Sequence, residues 1–233
     1  MKYTKNNPLR VFTAFSGYDS QCLALNRLKE DYPDFDYVCV GWSEIDDTAI
    51  DAHDALFPQD SDKNYGDISK IDWEQVPDID LFTYSYPCTD ISAAGLQQGF
   101  AKGSGTRSSL LWECEEAIKV KRPKYLLMEN VKALVSAKFI DGFHEWLRLL
   151  ESYGYSSFSE VLNAKDYGVP QNRERIFVVS ILRGGSEPRY FFPKPFKLNK
   201  CLADVLQEDV DESFFLRDEM LARFCEKSLE NEG

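Results

Sequence analysis

A cysteine directly follows a proline in Ser85-Tyr86-Pro87-Cys88. The run Asp80–Tyr86 before it reads as a strand, so Cys88 falls where that strand leaves its sheet. Proline stiffens the approach and gives the sulfur a fixed direction. The thiolate is the nucleophile, and nearby positive charge or a helix N-terminus lowers a thiol pKa enough to form it. Two other segments offer partners. Glu129-Asn130-Val131 ends the apolar run that starts at Tyr125. A carboxyl buried at a strand end holds its proton to higher pH and can donate it to a substrate nitrogen. Gln171-Asn172-Arg173-Glu174-Arg175 leads into RIFVVSIL. In an extended segment Arg173 and Arg175 share one face, where two guanidiniums can hold an oxyanion or carbonyl. Each motif alone also has a plain reading: a buried thiol, a solvated rim acid, a surface Arg/Glu pair. Their order along the chain carries the signal.

A second group would make a ligand pocket. Phe15-Ser16-Gly17 follows the first apolar run, and glycine lets backbone approach a ligand closely. Glu44 follows the second, where an acid commonly accepts from ribose hydroxyls. Asp67, in Gly66-Asp67-Ile68, could accept from an adenine amino group.

These residues need a scaffold that brings strand ends together. Strands are expected at Arg10–Phe15, Tyr37–Trp42, Asp80–Tyr86, Tyr125–Glu129, Phe158–Asn163 and Arg175–Leu182. Helices are expected at Gln21–Glu30, Asp46–Phe57, Ser108–Val120 (stopped by Pro123) and Phe139–Ser152 (ended at Gly154). Such alternation with continuous apolar strands implies an α/β fold, a mostly parallel sheet with helices on both faces. Ligands then sit at the C-terminal strand edges. Past Leu182 the pattern fails, although Leu198–Gln207 and Glu219–Lys227 read as helical.

The chain has 233 residues, 43% of them apolar, and a net charge of −12. No apolar run suits a membrane span or a signal peptide, so the location expected is cytoplasmic. Six cysteines without a C-x-x-C pair and only two histidines argue against zinc. Most of the thiols are expected reduced and buried, and His53 and His144 are read as surface or boundary residues. Tyr190-Phe191-Phe192 is read as packing at an interdomain edge. The acidic balance argues against the chain gripping a phosphate backbone by itself.

Taken in order, the blocks FSGYDSQ, WSEID, GDIS, SYPCTDIS, GTRSSLLWE, LLMENV and NAKDYGVPQNRERIFVV resemble the DNA (cytosine-5) methyltransferase family, of bacterial and phage type. The resemblance runs from about Arg10 to Leu216. It implies a Rossmann-like S-adenosylmethionine-dependent methyltransferase fold and S-adenosylmethionine as methyl donor, with no metal. By the family's pattern Cys88 would be the nucleophile. Glu129 would contact the ring nitrogen and amino group of a flipped cytosine, and Arg173 and Arg175 would support the site and the cytosine carbonyl. Donor contacts would map onto Phe15, Ser16, Gly17, Glu44, Ile45, Asp67, Ile68, Pro87 and Leu110. The partner implied is double-stranded DNA.

The sequence departs from the family in places. Asp19 and Ser20 stand where relatives more often carry glycines, Thr89 replaces a glutamine after the nucleophile, and Tyr84-Ser85-Tyr86 replaces a glycine-containing approach. The family's target-recognition domain and two later motifs do not follow Leu216. The expectation is residues 1–182 as catalytic domain and 183–233 as linker and start of an incomplete target-recognition region. The enzyme would then be truncated or split, with a second polypeptide able to supply the rest. Two other readings share the fold. One is a non-catalytic donor- or partner-binding remnant. The other is a tRNA cytosine-5 methyltransferase, a branch that typically carries Cys-Phe-Thr near its tail, where this chain has Phe224-Cys225-Glu226.

Overall fold

A computed structural model of the chain describes residues 2–88, 105 and 107–223. Six strands form one sheet: β1 (Leu9–Ala14), β2 (Tyr37–Ser43), β3 (Leu81–Tyr84), β4 (Tyr125–Val131), β5 (Tyr155–Asn163) and β6 (Glu174–Leu182), in the order β2-β1-β3-β4-β6-β5. The β1–β2, β1–β3 and β3–β4 pairs are parallel, while β6 runs antiparallel to β4 and β5. The helices are α1 (Ser20–Asp31), α2 (Asp47–Leu56), α3 (Glu113–Lys121) and α4 (Ile140–Ser152). This is the expected α/β architecture.

The larger core lies on one face. Phe12, Phe82, Tyr84, Leu126 and Met128 point from the strands into side chains of α3 and α4, among them Ile118, Phe143, Trp146 and Leu150. The last three recur at the spacing that gives α4 one apolar stripe. The alternate strand residues face α1 and α2: Leu9 and Val11 pack with Phe35 and Leu25, and Thr13 hydrogen-bonds the Asp19 carboxylate that caps α1. Beyond α1 this second face is thinly covered, and Leu127, Glu129, Phe177 and Leu162 border a cleft there.

Several boundaries shift for physical reasons. The third strand stops at Tyr84, not Tyr86, because pairing with β4 ends there and Pro87 lacks an N–H to continue it. Phe15 belongs to the turn, with φ 54°. The helix read at Ser108–Val120 begins as a 3₁₀ turn, Arg107–Trp112, and α3 ends on Arg122 at φ 46°. Leu198–Gln207 holds only the 3₁₀ turn Leu202–Val205. Leu202, Val205 and Leu206 are exposed, so no packed face sustains a longer helix. Residues 218–223 are helical, and 224–227 lie outside the described residues. Among the described residues no helix is long and apolar enough to cross a membrane.

His53 corrects the reading of a surface residue: it is 1% exposed. Its ring stacks on Trp42 at 3.7 Å, and its Nε2 lies 3.8 Å from Asp19 Oδ2. Of the described thiols, Cys22, Cys39 and Cys114 are buried, Cys88 is intermediate, and Cys201 is exposed. The aromatic triplet divides: Tyr190 meets Phe158 and Phe192, while Phe191 is exposed.

Asp19 explains its own departure from glycine. It is fully buried at φ 61°, accepts from the Cys22 amide at 3.0 Å and the Thr13 hydroxyl at 2.8 Å, and so starts α1. Asp19→Ala removes the cap and orphans a buried hydroxyl. The expected cost is roughly 2–4 kcal/mol in urea unfolding. A loss below roughly 0.5 kcal/mol would show that the cap is not what holds this turn.

Candidate active site

The turn after β1 is the first wall. Phe15, Gly17 and Asp19 all have positive φ, at 54°, 56° and 61°. Only glycine adopts this region without a steric cost, so the other two are held by their surroundings. The Ser16 amide donates to the Ser43 carbonyl and the Asp19 amide to the Ser16 carbonyl. A Cβ on Gly17 would meet nothing within 4 Å, so the space before it is open.

The turn after β2 interlocks with it. Glu44 Oε2 accepts from the Gly17 amide at 3.0 Å, and Oε1 accepts from Ile45 and Asp46 amides at 2.8 and 3.0 Å. The apolar Ile45 side chain beside it is 66% exposed. Asp67 caps the short turn Ile68–Lys70, and hydrogen bonds from Ser69 hold its carboxyl below the usual carboxylate range. The Ile68 side chain is buried in the main core, so it could offer a ligand only backbone. Pro87 is half-buried, with its carbonyl accepting from Ser108 at 2.8 Å. Leu110 is half-buried in the 3₁₀ turn before α3.

The acid sits at the end of β4. Glu129 Oε1 lies 3.1 Å from Arg175 Nε and 3.8 Å from an Arg173 nitrogen. Glu174, between the two arginines, turns away to pair with Lys132 at 2.9 Å, as alternation in an extended segment requires. Burial is the largest influence on Glu129 and pushes its pKa up. Arg175, Arg173 and the neighbouring Ser85 hydroxyl pull the other way without reversing it. A half-sheltered acid of this kind is poised to share a proton with a ligand.

Phe15, Ser16, Glu129, Arg173 and Arg175 border one cleft of about 990 Å³, with Gln21 and Ser85 between them. Gly17, Glu44, Ile45, Asp67, Ile68, Pro87 and Leu110 do not line it; Gly17 and Glu44 join it through their mutual hydrogen bond. Cys88 is not among the lining residues either. Asn130 Nδ2 donates to the Tyr86 carbonyl at 3.1 Å, which ties the Pro87-Cys88 approach to the strand end that bears Glu129. Thr89 and the residues after it, up to 104, lie outside the described residues. Sequence reasoning missed Gln21 and Ser85. For Ser85 the signal was the period-2 alternation continued from β3, which puts Leu81, Thr83 and Ser85 on one face; for Gln21, on α1, the sequence held none.

The chain matches the family model for C-5 cytosine-specific DNA methylases over residues 9–231. It is 38% identical to the Type II methyltransferase M2.ScrFI of Lactococcus lactis subsp. cremoris, over 92% of this chain and 72% of that protein. It is 42% identical to the orphan methyltransferase M.SssI of Spiroplasma monobiae, over 73% of this chain but only 44% of that protein. The crystal structure of the S. pombe Dnmt2 methyltransferase superposes with a TM-score of 0.68 over 94% of this chain and 66% of its own, at 19% identity, a likeness of fold. With the strand-edge acid, the paired arginines and the interlocked turns beneath them, a match spanning nearly the whole sequence places this chain in the C-5 cytosine-specific DNA methylase family.

Proposed function

We propose that this chain carries the catalytic centre that moves a methyl group from S-adenosylmethionine to C5 of a cytosine flipped out of duplex DNA. The observation that carries the reading is the grip of Arg175 and Arg173 on a half-buried Glu129 beside the open turn at Gly17. The donor pocket fits: Gly17 faces open space, Ile45 offers an exposed apolar surface to a purine, and Glu44 and Asp67 bring carboxylates for hydroxyl and amino groups. When bound, S-adenosylmethionine supplies an electrophilic methyl on a sulfonium.

In this reading the Cys88 thiolate adds to C6, forming the S–C6 bond and pushing the C5–C6 electron pair toward C5. Glu129 hydrogen-bonds or protonates N3 and takes up the charge that develops in the ring. Arg173 and Arg175 hold the ring carbonyl and keep Glu129 in place. After methylation, loss of the C5 proton breaks the S–C6 bond and frees Cys88. The base must leave the stack to meet these groups, at a cost of a few kcal/mol. Residues 1–182 would form the catalytic domain. Target recognition would come from a region to which residues 183–233 belong, or from a second polypeptide, which would also supply the basic surface that a chain of net charge −12 lacks.

The test is transfer of tritiated methyl from S-adenosylmethionine to duplexes presenting cytosine in many contexts, followed by nucleoside analysis. Label in 5-methylcytidine is expected. Label on another atom, or on RNA alone, would overturn the reading.

A further inference from the structure

The two arginines beside Glu129 are held differently. Arg175 sits in β6, where the ladder pairs it with Val131 and Leu162. Arg173 lies one residue before β6; its side chain is 48% exposed and comes only to 3.8 Å from Glu129. Its direction therefore depends on the loop 163–173. At the neck of that loop Asn163 Oδ1 accepts from the Arg173 amide at 3.1 Å, and the Ala164 amide donates to the Arg173 carbonyl at 3.0 Å. Inside it, the Gly168 and Val169 amides both donate to the Ala164 carbonyl, with Gly168 at φ 88°.

The segment Pro193–Phe196 clips this loop from outside. Pro193 and Pro195 keep the segment extended. The Tyr167 hydroxyl donates to the Pro193 carbonyl at 3.0 Å, and the Phe196 amide donates to the Asp166 carbonyl at 3.0 Å. The Phe196 ring meets Tyr167 edge-on, with centroids 6.3 Å apart, and a Cβ on Gly168 would come within 3.3 Å of it. Glycine is thus required at 168 twice, by its φ and by the ring above it. Phe196 is nevertheless 58% exposed, so the core does not rest on it. Beyond it every described residue from 199 to 223 is exposed, and among the described residues the backbone hydrogen bonds of 197–223 stay within that stretch.

We propose that Phe196 is a positioning residue for Arg173: its ring and amide, with the Tyr167–Pro193 bond, pin the tip of the loop that aims this guanidinium at Glu129 and the base. The proposal rests on the reading of Arg173 given above and adds to it what holds the side chain in place. With the tip pinned, the neck at Asn163 stays closed and Arg173 stays level with the acid. With the tip released, the neck is held by one side-chain bond and one backbone bond, and a loop with few buried contacts opens locally at little cost. Phe196 is also the last tie between the tail and the sheet domain among the described residues, so a displacement of the residues that follow it reaches the arginine loop first.

The experiment is amide hydrogen exchange of the full chain, followed residue by residue by NMR, beside methyl-transfer kinetics. In Phe196→Ala the amides of Ala164, Val169 and Arg173 are expected to exchange at least roughly 3-fold faster, while those of β4 and the cooperative unfolding transition stay near wild type. Phe196→Tyr keeps the ring and is expected to restore protection. Tyr167→Phe removes only the bond to Pro193 and is expected to loosen the same amides less. Phe214→Ala, an equally apolar change on the exposed tail, is expected to leave them alone. In parallel, kcat is expected to fall roughly 5-fold in Phe196→Ala, with donor affinity held within about 2-fold, because the loss is of aim and not of binding. Loop exchange in Phe196→Ala equal to wild type overturns the clip, whatever happens to the rate, and so does an equal loosening in Phe214→Ala. A loosened loop in a protein whose methyl transfer is unchanged by Arg173→Gln upholds the clip and overturns the catalytic reading of Arg173 instead.

Discussion

Cys88→Ser is expected to lower methyl transfer at least roughly 1,000-fold while leaving the fold and donor binding intact. The reaction as proposed has no path around the sulfur. C5 of cytosine is a weak nucleophile until a group adds at C6, and a serine hydroxyl near neutral pH is a far poorer nucleophile than a thiolate. Cys88 is only partly buried, unlike the thiols of Cys22, Cys39 and Cys114. The buried thiols provide the control: Cys114 is sealed in the main core, where burial pushes its pKa well up, and Cys114→Ser should change stability rather than chemistry. Single-turnover transfer beside thermal unfolding separates the two variants. Cys88→Ser retaining more than about a tenth of wild-type rate would rule out the covalent route.

Glu129→Gln is expected to lower transfer roughly 100- to 1,000-fold and, at pH 8, to leave the protein as stable as wild type or more so. The stability half follows from the sign of the shift. Burial raises the Glu129 pKa above its unfolded value, so the folded state holds this proton more tightly than the unfolded one. That contribution is complete below the ordinary glutamate range and is lost as pH rises through the raised value. Above it, wild type carries a half-buried carboxylate that glutamine relieves. Arg173 and Arg175 do not reverse the outcome, because their side chains are 48% and 24% exposed and water can solvate them once the carboxylate is gone. Melting temperatures of both proteins should therefore converge, or change order in favour of wild type, as pH is lowered toward 4. A glutamine variant much less stable than wild type at pH 8 would mean that the acid is held for structure.

The strands could be read because continuous apolar runs report burial on both faces of a sheet. The rim motifs could be read because Pro87-Cys88, Glu129 and the Arg173/Arg175 pair each sit at the end of such a run. What escaped depended on partners far away in sequence. His53 reads as a polar residue on a helix until Trp42 and Asp19 are seen to enclose it. Ile68 lies in a ligand-side motif, yet its side chain turns into the core. Leu198–Gln207 has a helical period but no surface to pack against, and period alone does not hold a helix. Ser85 shows the limit best: its place level with Glu129 depends on the register between two strands whose sequences lie forty residues apart, and no local pattern encodes that register.

The most direct test of the account is to locate the bond between protein and base. A duplex carrying 5-fluorocytosine blocks release, because the fluorine cannot leave as the C5 proton does. After incubation with S-adenosylmethionine, digestion and peptide mass spectrometry should find one nucleotide, carrying the transferred methyl, attached to the peptide that contains Cys88. The same nucleotide on another residue, or methylated DNA formed with no adduct at all, would contradict it.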